Sequence, residues 1–271
     1  MPLSAFRLEF SGERADVTAS VNDVPVMSTP GGRALDASVA ITPWLLTGTN
    51  VLALSLTASG TAPPPAAAGS AIFGVRDASV PGSDLIPLTS LVVEPEKDPT
   101  VTSAPPGPNM MGSAGPVTAR TTSSSLQLRR SVVISAPLPR WAWIDSAVIP
   151  ADDDTSAELW REYEAIWKLL DERRLGTLPD LLRERTTEYR QALYADADEL
   201  PSDYGIGALV RSGAALLPLP AEPVFHLFGG GRLAEWTRQD GRPVVTFDEG
   251  GVGRFFRFVF RRVGKGWTVT R

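Results

Sequence analysis

At residue 151 the spacing of apolar side chains changes from every second residue to every third or fourth, and after about residue 215 it changes back. This double switch limits the fold more than any other feature. A period of two belongs to a strand with one buried face, and a period near 3.6 to a helix. Strands, then helices, then strands make an all-β body followed by an α+β body. The 271 residues suit two domains of roughly 100–200 residues each. The expected layout is therefore a β-sandwich over 1–150 and an α+β domain over 151–271, in which two helices pack on an antiparallel meander sheet.

In the first half Phe6, Leu8 and Phe10 alternate up to a turn at Ser11–Arg14. Ala15, Val17, Ala19 and Val21 alternate next and end at Asn22-Asp23. Further strands are expected over 37–41, 50–57, 70–76, 88–93, 126–135 and 141–149. Two stretches, 58–69 and 94–116, are rich in Pro, Gly, Ser and Ala and lack periodicity, so they read as mobile loops; Met110-Met111 lies in the second.

The helical stretch opens on Asp152-Asp153-Asp154, followed by Thr155-Ser156-Ala157-Glu158 in capping-box spacing. Leu159, Trp160, Tyr163, Ile166, Trp167 and Leu170 fall on one stripe, which makes helix 156–175 the central packing element of its domain. Arg173-Arg174 and Gly176 should end it, and Thr177 with Pro179 should open a second helix over 177–194. Strands are then expected over 222–228, 232–238, 242–248, 253–263 and 266–271, joined by glycine-rich turns.

Two resemblances sharpen this picture. The run from Val21-Asn22-Asp23-Val24-Pro25-Val26 through Ile41-Thr42-Pro43-Trp44-Leu45 to Gly48-Thr49-Asn50-Val51-Leu52 resembles galactose-binding-like jelly rolls, over about residues 17–57. The resemblance implies a jelly-roll-like sandwich and maps no sugar-contacting residue. More loosely, the helices 156–175 and 177–194 and the final strand pair around Phe256–Arg262 and Gly266–Val269 resemble the cone-shaped α+β fold of ketosteroid-isomerase-like proteins. That implies a pocket or a dimer face, with no catalytic residue carried over.

The chemistry available is narrow. There is no cysteine, so thiolate ligands, thiol nucleophiles and disulfides are excluded. One histidine, His226, rules out sites built on two imidazoles. Neither a GxSxG elbow nor a phosphate-cradling glycine loop occurs. No cofactor and no metal are expected.

The charge is uneven. Residues 151–203 hold fifteen acids and seven bases, whereas 204–271 hold ten bases and five acids. The arginines Arg254, Arg257, Arg261 and Arg262 alternate with phenylalanines, a mixture suited to an anionic ligand or to pairing with the acidic helices. A net charge of -5 argues against nucleic acid.

The leading expectation is a non-enzymatic binding or interaction protein with a protein partner. Three readings stay open beside it. One is a small-molecule isomerase or hydrolase using His226 with Glu235 or Asp248. Another is a carbohydrate-binding module stacking sugars on Trp44, or on Trp141 and Trp143; the third is anionic-ligand binding through Arg257 and Arg261. A homo-oligomer is compatible with each. Without a basic, then apolar, leader or a run of ~18 apolar residues, the expected location is the cytoplasm, away from membranes.

Overall fold

The computed structural model describes residues 4–57, 68–77, 79–80, 83–94, 100–103, 112–122 and 124–271. The Met110-Met111 pair and most of the two expected loops lie outside these residues. The chain separates into two compact units, one of residues up to 140 with 192–194, the other of 141–191 with 195–271.

The first unit is all β. Its strands are β1 (Ser4–Glu13), β2 (Asp16–Val21), β3 (Val24–Thr29), β4 (Leu35–Ala40), β5 (Gly48–Thr57), β6 (Ala68–Asp77), β7 (Ile86–Val93), β8 (Thr100–Ser103), β9 (Gly112–Thr121) and β10 (Ser125–Ile134). They form two antiparallel five-stranded sheets, in the orders β4-β1-β6-β7-β8 and β3-β2-β5-β10-β9. Phe6, Leu8 and Phe10 of one sheet and Val17, Ala19 and Val21 of the other are all buried, as the alternation requires. The facing sheets approach closely at Gly12, where a Cβ would lie 2.8 Å from the Val17 Cβ.

Asn22 and Asp23 turn the chain between β2 and β3 with φ of 51° and 64°, the left-handed pair that a two-residue hairpin needs. Behind this turn Asn50 is fully buried and fully engaged. Its Oδ1 accepts from Leu46 N–H at 2.8 Å and from Asn22 Nδ2 at 2.9 Å. Its Nδ2 donates to the carbonyls of Leu46 at 2.8 Å and Gly48 at 3.0 Å. Asn22 and Asn50 are thus loop staples.

Three expectations change here. Thr100–Ser103 and Gly112–Thr121 are strands, although both overlap the stretch read as a loop; the hydrogen-bond ladders to β7 and β10 supply the order that apolar periodicity does not. Val24–Thr29 is a strand despite Pro25. Residues 141–149 are not a strand: they hold a short 3-10 helix, Ala142–Asp145, that inserts Trp141 and Trp143 into the second unit.

The second unit contains α1 (Asp153–Asp171), α2 (Leu178–Leu181), α3 (Arg183–Leu193) and α4 (Ile206–Arg211). Its strands are β11 (Ala215–Leu216), β12 (Val224–Phe228), β13 (Leu233–Thr237), β14 (Val245–Glu249), β15 (Val252–Phe256), β16 (Phe260–Val263) and β17 (Gly266–Val269). They make a three-stranded sheet, β11-β14-β15, and a four-stranded sheet, β12-β13-β16-β17. Among the described residues no helix is long and apolar enough to cross a membrane.

Asp152 is the N-cap of α1, its carboxylate accepting from Thr155 N–H at 2.8 Å. The helix therefore starts earlier than expected, and Thr155 is a buried helical residue. Leu159, Tyr163, Ile166 and Leu170 form the fully buried stripe, while Trp160 and Trp167 flank it half-buried. The helix ends before Gly176. Arg173 takes the left-handed position with φ 55°, and the N–H groups of Arg173 and Arg174 close back on the carbonyls of Leu170 and Leu169 at 3.1 and 2.9 Å.

The expected strand 253–263 is broken. β15 stops at Phe256 and β16 starts at Phe260, and the intervening Arg257-Phe258-Val259 carries the chain from one sheet to the other. Val259 N–H donates to the Arg271 carbonyl at 2.7 Å, so both Phe258 and Val259 are buried and the alternation lapses.

Candidate functional site

β12 and β13 form a hairpin closed by Gly229-Gly230-Gly231, whose φ values of 62°, 65° and 77° only glycine adopts readily in series. The register places His226 opposite Glu235, Val224 opposite Thr237 and Phe228 opposite Leu233, all on one face of the sheet. The other face, carrying Phe225 and Trp236, packs on Trp160 of α1 and its neighbours.

On the first face the sole imidazole meets a carboxylate and a guanidinium. Glu235 is 5% exposed and binds Arg257 through two bonds, Nε to Oε2 at 2.5 Å and Nη2 to Oε1 at 2.9 Å. Such a bidentate, charge-assisted pair fixes both partners. Burial works against the charge on Arg257, and the Glu235 carboxylate overrides it, holding the guanidinium above its ordinary value. His226 Nε2 lies 2.9 Å from the Thr237 hydroxyl, and its ring stacks on Phe228. Burial pulls the imidazole pKa down; the Glu235 carboxylate opposes this and Arg257 adds to it.

Beneath this face Tyr163 fills a gap in the sheet. β13 and β16 pair at Ala234 and Phe260, and the next pair in that register would be Trp236 with Phe258. Instead the Tyr163 hydroxyl bridges those two residues. It donates to the Phe258 carbonyl at 2.5 Å and accepts from Trp236 N–H at 3.2 Å. Burial, reinforced by Glu235, pushes this phenol well up, so it stays protonated.

The arrangement gives each candidate group a structural neighbour. A general base needs a free lone pair within reach of a substrate proton. Glu235 has both oxygens on Arg257, and the side chain of His226 rests on Thr237. Asp248 does not join them: it sits on β14, in the other sheet, and its Oδ1 accepts from Gly251 N–H at 2.6 Å to close a turn. Asp152 to Asp154 serve the start of α1, and no group of three or more potential metal ligands occurs among the described residues.

The arginine run is answered within its own unit. Arg254 pairs with Glu249 at 3.0 Å, Arg257 with Glu235, and Arg262 with Glu158 at 2.6 Å. Arg261 grips Glu184 of α3 through Nε at 2.7 Å and through Nη2, and burial of Glu184 is outweighed by these bonds, so its pKa falls. Arg257 and Arg261, expected as anionic-ligand residues, thus already hold carboxylates; Glu235 of strand β13 and Glu184 of helix α3 supply them.

The tryptophans expected to stack on sugars are core side chains, with Trp44 4%, Trp141 0% and Trp143 3% exposed. A buried indole face has no room for a sugar ring, and that of Trp141 is flanked by the Arg271 guanidinium. The interior of the sandwich holds a void of ≈ 10 Å³ among Phe6, Leu52, Phe73 and Val132, no larger than one water.

Two buried cations escaped the sequence reading. Arg271 is 1% exposed and pairs with Glu188, whose Oε1 also accepts from Ala142 N–H at 2.6 Å. Arg130 stands in the inward-facing row of β10 between Leu128 and Val132 and donates to the Thr89 hydroxyl at 2.8 Å and the Gly115 carbonyl at 2.9 Å. The alternation of Leu128, Arg130 and Val132 is the signal that could have found Arg130; nothing local marks Arg271. Comparison of the chain with protein-family profiles, with curated protein sequences and with solved structures finds no match in any of the three.

Proposed function

We propose that this protein is a non-catalytic binding or interaction protein whose partner is another protein. One observation carries the reading: the lone imidazole and its nearest carboxylate are committed to internal contacts, His226 to Thr237 and Glu235 to Arg257. Acid–base catalysis needs those groups aimed at a substrate. In this reading the first unit is a jelly-roll-like sandwich and the second a cone-shaped α+β body, both serving as platforms.

The test uses His226→Gln, which keeps a polar side chain at the position. Affinity capture from native lysate with the wild type and the variant as bait should return the same partners. Both proteins are also offered a panel of esters and enolisable ketones. Turnover by the wild type that falls by about 100-fold in a folded variant would identify a general base and overturn the proposal.

A further inference from the structure

We infer that the open cleft between segment 218–223 and the turn joining β13 to β14 binds a small zwitterion, carboxylate on Arg238 and ammonium on Glu222. The cleft has a volume of ≈ 380 Å³, with Pro220, Ala221 and Glu222 on one wall and turn residues 238–240 and 242 on the other.

Both walls are fixed before any ligand arrives. Prolines at 218, 220 and 223 preset φ along the first wall and leave three positions without an N–H. The second wall is a turn in which Arg238 N–H donates to the Arg242 carbonyl at 2.8 Å and Gly241 N–H to the Arg238 carbonyl at 2.9 Å. Gly241 takes φ 78°, a conformation that favours glycine. Side chains then tie the walls together. Gln239 Nε2 donates to Glu222 Oε2 at 2.6 Å, and Arg238 Nη2 donates to the carbonyls of Pro218 at 2.8 Å and Val244 at 3.2 Å.

The charges select the ligand. Four charged side chains line the cleft, and two of them cancel: Arg242 Nε donates to Asp240 Oδ2 at 2.5 Å, and Arg242 N–H to Oδ1 at 3.0 Å. Arg238 and Glu222 remain, and among the described residues neither has an ion pair. The acceptors of Arg238 are neutral carbonyls, and its enclosed Nε has no partner among the described residues. Burial, then the adjacent Arg242, pull its pKa below the ordinary value, and Asp240 opposes them. A desolvated cation without a counter-ion is costly, and a bound carboxylate relieves that cost. Glu222, exposed, is met only by the neutral amide of Gln239.

A plain anion would satisfy Arg238 and face Glu222 and Asp240. A plain cation would satisfy Glu222 and face Arg238 and Arg242. A molecule with one charge of each sign answers both residues, and Pro220 and Ala221 offer apolar contact to the carbons between its charges. Ligand pockets span about 300–1,000 Å³, so this one suits a molecule of amino-acid size.

The probes are glycine, 4-aminobutyrate and 6-aminohexanoate, with butyrate and butylammonium as singly charged controls, titrated into the full chain and followed by amide shifts. At least one zwitterion should shift the amides of 221–222 and 238–242 saturably, with a Kd below about 10 mM. It should bind about tenfold or more tighter than either control. Arg238→Gln and Glu222→Gln should each weaken it by about tenfold, while Lys265→Gln, an exposed cation on another turn, should not. Glu222 is exposed, so its variant keeps the test valid even where Arg238→Gln fails to fold. No zwitterion with a Kd below about 10 mM, equal affinity for butyrate or butylammonium, unchanged affinity in Glu222→Gln, or shifts confined to other residues would overturn the assignment. None of these outcomes bears on the protein-partner reading, which the capture experiment tests separately.

Discussion

Replacing Tyr163 by phenylalanine removes one oxygen and leaves the ring in place. That oxygen is the link between Trp236 N–H and the Phe258 carbonyl, where the ladder between β13 and β16 would otherwise continue. The donated bond contributes about 0.5–1.5 kcal/mol net, and each buried group left unsatisfied costs ~1–3 kcal/mol. The phenyl ring, packed against Phe260 at 5.3 Å between centroids, still holds the strands apart. Direct pairing of Trp236 with Phe258 therefore cannot restore the loss, and the expected destabilisation is ~2–3 kcal/mol. With a urea dependence of ~2 kcal/mol per molar, the midpoint should fall by about 1–1.5 M. The assay is urea unfolding followed by tryptophan fluorescence, since Trp160 and Trp236 adjoin the site. A shift below about 0.3 M with an unchanged slope would mean that the hydroxyl is not bridging the sheet.

Arg173→Gly should stabilise the protein by about 0.5–1 kcal/mol, because the left-handed C-terminus of α1 suits glycine better than a residue with a Cβ; thermal or urea midpoints read the gain, and a loss would show that the arginine side chain matters more than its backbone. His226 predicts a pH dependence. Its folded pKa lies below the ordinary value of 6.5, with burial the leading cause. The unfolded chain therefore takes up the proton first. The stabilising contribution of neutral His226 is complete above that pH and is lost as pH falls through it toward the folded value. The urea-midpoint difference between wild type and His226→Gln should shrink between pH 7.5 and 5.5; a difference independent of pH would refute the burial argument.

Strands with one face in the core, such as Phe6–Phe10 and Ala15–Val21, were legible because alternation and burial coincide. β8 and β9 were not, since Thr-Val-Thr-Ser and Gly-Ser-Ala-Gly-Pro offer few apolar residues. Edge positions are specified by ladder bonds, which leave no hydrophobic period. The break at Arg257 was hidden for the opposite reason: 253–263 alternates well, and only distant partners at Glu235 and Arg271 bend it. In the candidate site, the opposition of His226 and Glu235 follows from the three-glycine turn and was within reach of the sequence. The capture of Glu235 by Arg257 is a tertiary event with no local signal. The three tryptophans show the same limit, because composition reports an aromatic ring without saying which side faces water.

The position of Arg271 sets the order in which the second unit can be completed. Its guanidinium closes on Glu188, 83 residues earlier in sequence, while its backbone holds the crossover at Val259. Tyr163 likewise waits for Phe258, 95 residues away. During synthesis α1 emerges with its apolar stripe long before the strands that cover it, and the contacts of Arg271 wait until that residue has emerged as well. Contacts of such separation slow folding and lengthen the exposure of unpaired apolar surface. The segment 151–203, with fifteen acids against seven bases, would keep that nascent stretch soluble while its arginine partners are still untranslated.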